Sequence, residues 1–291
     1  MRNIKLITNC ERPPNYLMDI SVKHWLKNGF EPKDFIFLVN NISNFDMVKS
    51  LKESYNIDAK RVSSIDEIYD PKQCVVWDDL IEYDYGAYHD RESHIINQVQ
   101  QKLLESGVDV VIFLDRDELL WHESGDLRNI LNTFTEPVIR PRGIEVIQNG
   151  NEGDFNLTKS VAEQRRYFRW FPSKSKACIT RIPVNWITGR HGTSCGRWPH
   201  ADTLAHPELQ FHPEANVLEY PGLYLVHFDK MDMNLLYDLR LESQKIFKTN
   251  DRHTGVITEQ QYIEWFTEAH KDTRPGRELY EDKEFLYKVG V

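Results

Sequence analysis

A chain of 291 residues can bury a substantial core, and a make-up of 40% hydrophobic and 28% charged residues is that of a globular protein, not a disordered or fibrous one. The net charge of −9 gives a nucleic-acid partner little electrostatic help, so no nucleic-acid role is expected. No apolar run approaches the roughly 18 residues that a transmembrane segment needs, and four scattered cysteines without a CxxC pair exclude a zinc ribbon and a disulfide framework.

Along the chain, IKLIT (4–8) reads as a strand, and residues 16–28 follow with Leu17, Ile20, Val22 and Trp25 in a helical pattern. DFIFLV (34–39) is a second strand. Residues 44–56 read as a helix, AKRV (59–62) as a short strand and CVVW (74–77) as another. In 89–106, Ile95, Val99 and Leu103 recur every fourth residue with Ile96 and Leu104 beside them, which is one face of a helix that Gly107 ends. DVVIFL (109–114) then reads as a strand apolar on both faces. Such alternation predicts an α/β fold with a mostly parallel central sheet and helices on both sides. Residues 136–230 are richer in Gly, Pro and Trp, with short strands expected at 137–147, 177–188 and 222–228. From 231 a helical pattern returns (Leu235, Leu236, Leu239, Ile246), and the charged last twenty residues read as a loose tail. The opening MRNIKLITNC is a strand pattern rather than a leader, so a single soluble, cytoplasmic domain over 1–291 is the expectation.

The strand at 109–114 runs into Asp115, Arg116, Asp117 and Glu118. In an open parallel sheet, ligands bind at the carboxyl ends of strands. Two hard oxygen donors there suit Mg²⁺ or Mn²⁺. The competing reading is that these carboxylates cap a following helix or sit solvated in a loop.

The segment IFLDRDELL resembles the metal-binding stretch of GT-A-fold glycosyltransferases, in the family-2-like group whose strand ends in Asp-x-Asp-Glu. Other segments fall in matching order: LITNCERP (6–13), RGIEVIQ (142–148), the lysine-bearing SKSKACITR (173–181), VNWITGRHG (184–192) and LYLVHFDKMDMNLLYDLR (223–240). The resemblance covers roughly 3–245. It implies a Rossmann-like nucleotide-diphospho-sugar transferase fold, with 1–135 binding the nucleotide sugar, 136–230 the acceptor, and 231–291 a C-terminal helical segment. It implies transfer of a sugar from a nucleotide-diphosphate donor to a hydroxyl of a glycan or glycoconjugate acceptor. By the same resemblance, Asp117 is the closest ligand of Mn²⁺ or Mg²⁺, Asp115 binds the donor ribose or the metal through water, and His227 is a third ligand. His227 packed at a strand end is the alternative.

An inverting transfer needs a base for the acceptor's proton. Glu145 is the first candidate because it lies among Ile144, Val146 and Ile147, where partial burial raises a carboxyl's pKa; a surface glutamate is the alternative. Asp202, Glu208 and Glu214 are further candidates, and His191 is a candidate to orient acceptor or base. His191, His200 and His206 near Cys195 lack a tight zinc spacing. On the donor side, Thr8 and Glu11 fall at the end of the first strand, Asp78 and Asp79 follow CVVW, and Arg91 and Gln98 lie on the polar side of the long helix, with Arg91 in reach of a diphosphate. Tyr167, Trp170, Trp186 and Trp198 offer flat apolar faces to a sugar, or else serve the core. RRYFRW (165–170) reads as a solvated basic face or a seat for an acidic acceptor. Two other classes compete: a sugar-phosphate nucleotidyltransferase, which TNCERPPNY disfavours because it has no glycine, and a non-catalytic carbohydrate-binding protein on the same fold.

Overall fold

The computed structural model describes residues 1–9, 15–39, 45–57, 59–62, 74–77, 85–148, 152–156, 158–159, 161–170, 176–187, 192–193, 217–232 and 279–281. The chain opens with β1 (Ile4–Asn9), α1 (Asn15–Lys27), a 3₁₀ turn (Pro32–Asp34), β2 (Phe35–Val39), α2 (Phe45–Tyr55), β3 (Ala59–Val62), β4 (Cys74–Trp77), α3 (Tyr85–Glu105) and β5 (Val110–Asp115). These strands pair in parallel in the order β3-β4-β2-β1-β5.

The strands are apolar on both faces because each face meets its own core. Ile4 and Leu6 of β1, Phe35 and Phe37 of β2 and Val110, Ile112 and Leu114 of β5 pack with Met18, Val22 and Trp25 of α1. Ile7, Ile36, Val111 and Phe113 point the other way, to Ile95, Ile96, Val99 and Leu103 of α3. Each such side chain contributes about 1.5–3 kcal/mol on burial. α1 and α3 end the same way. Gly29 (φ +80°) and Gly107 (φ +90°) take the left-handed conformation, and Phe30 and Val108 donate back to Trp25 and Leu103. The Phe30 and Trp25 rings meet edge to face at 4.7 Å.

After β5 come β6 (Glu118–His122), α4 (Leu127–Thr133), β7 (Val138–Ile147), α5 (Val161–Gln164), β8 (Tyr167–Trp170), β9 (Ile179–Thr180), β10 (Trp186–Ile187), β11 (Gly192–Thr193), β12 (Val217–Lys230) and β13 (Leu279–Glu281). β9 pairs antiparallel with β5 and β7, β8 with β7, and β13 with β8. β12 lies parallel to β7 and antiparallel to β6, while β10 and β11 form a separate pair. One sheet therefore carries strands from both halves of the chain, parallel in the first half and mixed in the second. β6 stands where a helix start or loop was the competing reading. β13 stands in the expected tail, where Leu279 and Tyr280 pair with Arg169 and Phe168. The expected helix around 235–246 lies outside the described residues.

This topology creates a switch point. β1 leads away to β2 on one side, while the chain returns from β4 through α3 to place β5 on the other side of β1. The strand order thus reverses between β1 and β5, and an open α/β sheet binds ligands outside the carboxyl ends at such a switch point. The register sets Asn9 opposite Asp115 there.

Candidate functional site

The acidic turn sits at this rim. Arg116 and Asp117 form a two-residue turn between β5 and β6. The turn is stitched from both sides. The Asp115 N–H donates to Glu118 Oε2 at 2.9 Å, and the Phe228 N–H donates to the Asp117 carbonyl at 3.0 Å. The second bond ties the turn to β12, which brings His227 to it: His227 Nε2 lies 3.5 Å from Asp117 Oδ2. Asp117 has 19% of its side chain exposed, His227 only 4%.

The other two carboxylates turn to Lys176. Its ammonium lies 3.0 Å from Asp115 Oδ2 and bonds Glu118 Oε2, and it rests over the Phe113 ring at 4.8 Å. Asp115 keeps a third of its side chain exposed, whereas Glu118 is wholly buried. Burial pushes the Glu118 carboxyl up to about 7, with Asp115 and Asp117 adding to the rise and Lys176 and His227 opposing it. Burial also works against the Lys176 charge, yet Asp115 and Glu118 outweigh it and its pKa is raised. The two effects compete, since Lys176 draws on a charged Glu118 that burial holds back from ionising. Asp115, better solvated, is the steadier counter-charge. Burial likewise pushes the neighbouring Cys178 thiol up, so it remains protonated and unreactive.

Glu145 is fully buried on β7 and paired with Arg169 of β8, Nε to Oε2 at 2.5 Å with Nη2 on the same oxygen. As placed, this carboxylate faces a guanidinium inside the sheet and offers no open face to an acceptor. The base role read from the sequence does not match that surrounding.

The remaining expectations divide. Thr8 reaches the rim on β1, but its side chain is buried at 1% exposure, so no exposed hydroxyl faces a nucleotide. Gln98 lies on a half-exposed flank of α3 and bonds His94 one turn earlier, at 2.6 Å. It is not gathered into the carboxylate cluster. Arg91 belongs to α3, but its side chain, like Glu11, Asp78, Asp79, His191, Asp202, Glu208, Glu214 and Trp198, lies outside the described residues.

Trp186 is a core residue, not a sugar platform. It is 3% exposed, its indole N–H donates to the Ala177 carbonyl at 2.7 Å, and it packs on Phe113. Asn97 of α3 clamps its backbone on both sides. Trp170 is half-buried, stacked under the Arg142 guanidinium at 4.1 Å. The RRYFRW run is not a solvated face: Arg165 is 2% exposed and donates to the Met231 carbonyl, and Arg169 is 3% exposed. Only Arg166 faces out, near Glu152. Sequence reasoning missed Lys176 and Glu118 as site residues. The available signal was a lysine directly preceding the apolar Ala177–Ile179 segment that returns to β5.

Among the described residues, no group of three or more His, Cys, Asp or Glu is arranged to hold a metal ion. Asp117 and His227 are the pair whose donors meet at the rim. No helix among the described residues is long and apolar enough to cross a membrane.

No family model matches the chain, and no curated protein matches it. Among solved structures, residues 1–349 of S. aureus TarS are similar over 94% of this chain and 73% of that one, at 11% identity and a TM-score of 0.37. The same segment in complex with UDP matches at 12% identity, with 93% and 72% coverage and a TM-score of 0.36. In complex with UDP-GlcNAc it matches at 11% identity, with 94% and 74% coverage and a TM-score of 0.36. At such TM-scores the likeness carries no argument for fold or reaction.

Proposed function

We propose that this chain is a GT-A-type glycosyltransferase that moves a sugar from a nucleotide-diphosphate donor to a hydroxyl of a glycan or glycoconjugate. The observation that carries the reading is the acidic turn 115–118 at the switch point between β1 and β5, joined there by His227 and Lys176. Asp117 and His227 are the residues that would hold Mg²⁺ or Mn²⁺. Two protein ligands suffice for such an ion, because it fills its shell with substrate phosphate and water. When bound, the ion neutralises the charge that develops on the departing diphosphate.

The chain's own groups do the rest. Lys176 holds Asp115 at the rim, where that carboxylate would face the donor ribose or stand near the ion. Its buried positive charge also lowers the cost of gathering three carboxylates around one anionic ligand. A carboxylate other than the buried Glu118 and Glu145 takes the acceptor's proton in an inverting displacement. The sequence offers Asp202, Glu208 and Glu214 for this step, and His191 for orienting the acceptor.

The test is a panel of nucleotide sugars with Mn²⁺, read by release of the nucleoside diphosphate. The account expects release with at least one donor, lost in Asp117→Ala with the fold intact. Full release by that variant contradicts the assignment.

A further inference from the structure

The cross-strand register assembles a second feature that the proposed reaction has not used. On β12, His227 stands opposite Glu118 of β6 on one side and opposite Glu145 of β7 on the other. Glu145 in turn stands opposite Arg169 of β8. Four ionisable residues thus share one row and one face of the sheet across four strands. None is more than 3% exposed. Each carboxylate is engaged by its own cation, Glu118 by Lys176 and Glu145 by Arg169. The order along the row is carboxylate, imidazole, carboxylate, guanidinium, with the imidazole between the two carboxylates.

Glu118 and His227 stand directly opposite on antiparallel strands, where Cβ atoms lie about 4.5–5.5 Å apart. Glu145 and His227 are register partners on neighbouring parallel strands about 4.7–4.9 Å apart, so both side chains flank the imidazole. Burying two ion pairs costs desolvation that well-packed apolar residues of the same volume would avoid. The Glu145–Arg169 pair also lies one and two strands beyond His227, away from the 115–118 turn. Within the row, His227 is the residue that stands between this pair and Glu118.

We propose that Glu118 and Glu145, each held by its cation, are positioning residues that fix the His227 ring from both sides and present it to Asp117. Buried carboxylates beside a ligating histidine set its orientation and the nitrogen it offers. The claim rests on the cation-dependent reading above, and it makes Glu145 a residue that acts through His227 and not on the acceptor.

The experiment uses the full chain with Mn²⁺ alone as probe, titrated by the EPR signal of free Mn²⁺. The ¹⁵N shifts of the His227 imidazole are recorded without metal, with a His227→Gln sample assigning the signal. The test variant is Glu145→Gln/Arg169→Met, which removes both charges of the outer pair, and circular dichroism checks its fold. Should that variant unfold, Glu145→Gln alone takes its place, and Arg169→Lys is the conservative control. The expected result is a Kd for Mn²⁺ raised about tenfold or more, with shifted imidazole signals, and near wild-type behaviour for Arg169→Lys. A folded test variant with wild-type Mn²⁺ affinity and unmoved imidazole shifts overturns the proposal. If the wild-type chain binds no Mn²⁺, the cation reading itself fails. The metal-free imidazole shifts still decide the positioning claim.

Discussion

Replacing Lys176 by methionine tests the electrostatic construction of the rim. Lys176 is 5% exposed and is the cation that touches both Asp115 and Glu118. Methionine keeps most of the volume and the contact with Phe113, so the change isolates the charge. Asp115 can turn to water, being a third exposed, and contributes little to the loss. Glu118 cannot, and breaking a buried pair by removing one partner costs about 3–5 kcal/mol. The cost depends on pH with a definite sign. The folded-state pKa of Glu118 is already raised from 4.5 to about 7, and losing Lys176 removes the strongest influence opposing that rise. A carboxyl with a raised folded pKa destabilises progressively as pH climbs from its unfolded value through its folded one. At pH 8 the variant's fold is charged with an uncompensated carboxylate, or with the work of keeping it protonated. At pH 5.5 Glu118 is protonated in the fold with or without Lys176, and the part of the penalty that comes from its charge is absent. Urea unfolding at the two pH values is the assay. The variant is expected to lose about 3–5 kcal/mol at pH 8 and about 1.4 kcal/mol less than that at pH 5.5, because the wild-type Glu118 is itself protonated below about pH 7 and the two proteins differ in bound protons over roughly one pH unit. Adding Glu118→Gln to Lys176→Met should restore most of the loss at pH 8. Equal losses at both pH values, or no recovery in the double variant, would refute the reasoning.

Three further outcomes follow from the same geometry. Saturating nucleoside diphosphate with Mn²⁺ should raise the wild-type melting temperature, since ligand at 100 times Kd adds about 2.7 kcal/mol; Asp117→Ala should show no such rise in the same thermal scan. Glu145→Leu alone should cost about 3–5 kcal/mol by leaving Arg169 buried without its partner, whereas Glu145→Leu/Arg169→Met should recover most of it, measured by denaturant midpoints. Trp186→Phe should cost about 1–3 kcal/mol, because the Ala177 carbonyl loses its donor and a small void opens beside Phe113; unchanged unfolding would place Trp186 outside the core.

The first half of the fold was legible in the sequence because its signals are local. Ile95, Val99 and Leu103 mark the buried face of α3, and Gly107 ends that helix. VVIFL (110–114) is apolar throughout because both of its faces meet a core. The second half depends on pairings that no local pattern reports. ELLWH became β6 because β12, about a hundred residues later, supplies its partner strand. RRYFRW read as a solvated basic face because the sequence does not show that Arg169 meets Glu145, 24 residues away, inside the sheet. At the site, position along the chain put Asp115 at the end of its strand and Asp117 just beyond it, whereas His227, expected at a strand end, lies inside β12, which runs on to Lys230. It did not show that the carboxylates divide, two to Lys176 and one to His227. That division depends on the tight turn at Arg116–Asp117 and on the return of the chain at β9. Glu145 shows the limit most clearly: its apolar neighbours announced burial, but burial in an ion pair removes the open face that a base needs.

The most direct measurement is the anomalous scattering of Mn²⁺ in crystals of the chain soaked with the ion and with whichever nucleotide sugar the release panel identifies. The account predicts a single manganese peak at the carboxyl ends of β1 and β5, about 2.1 Å from an Asp117 oxygen, with the diphosphate beside it. Manganese and nucleotide bound elsewhere on the chain, with Asp117 and His227 touching neither, would contradict it.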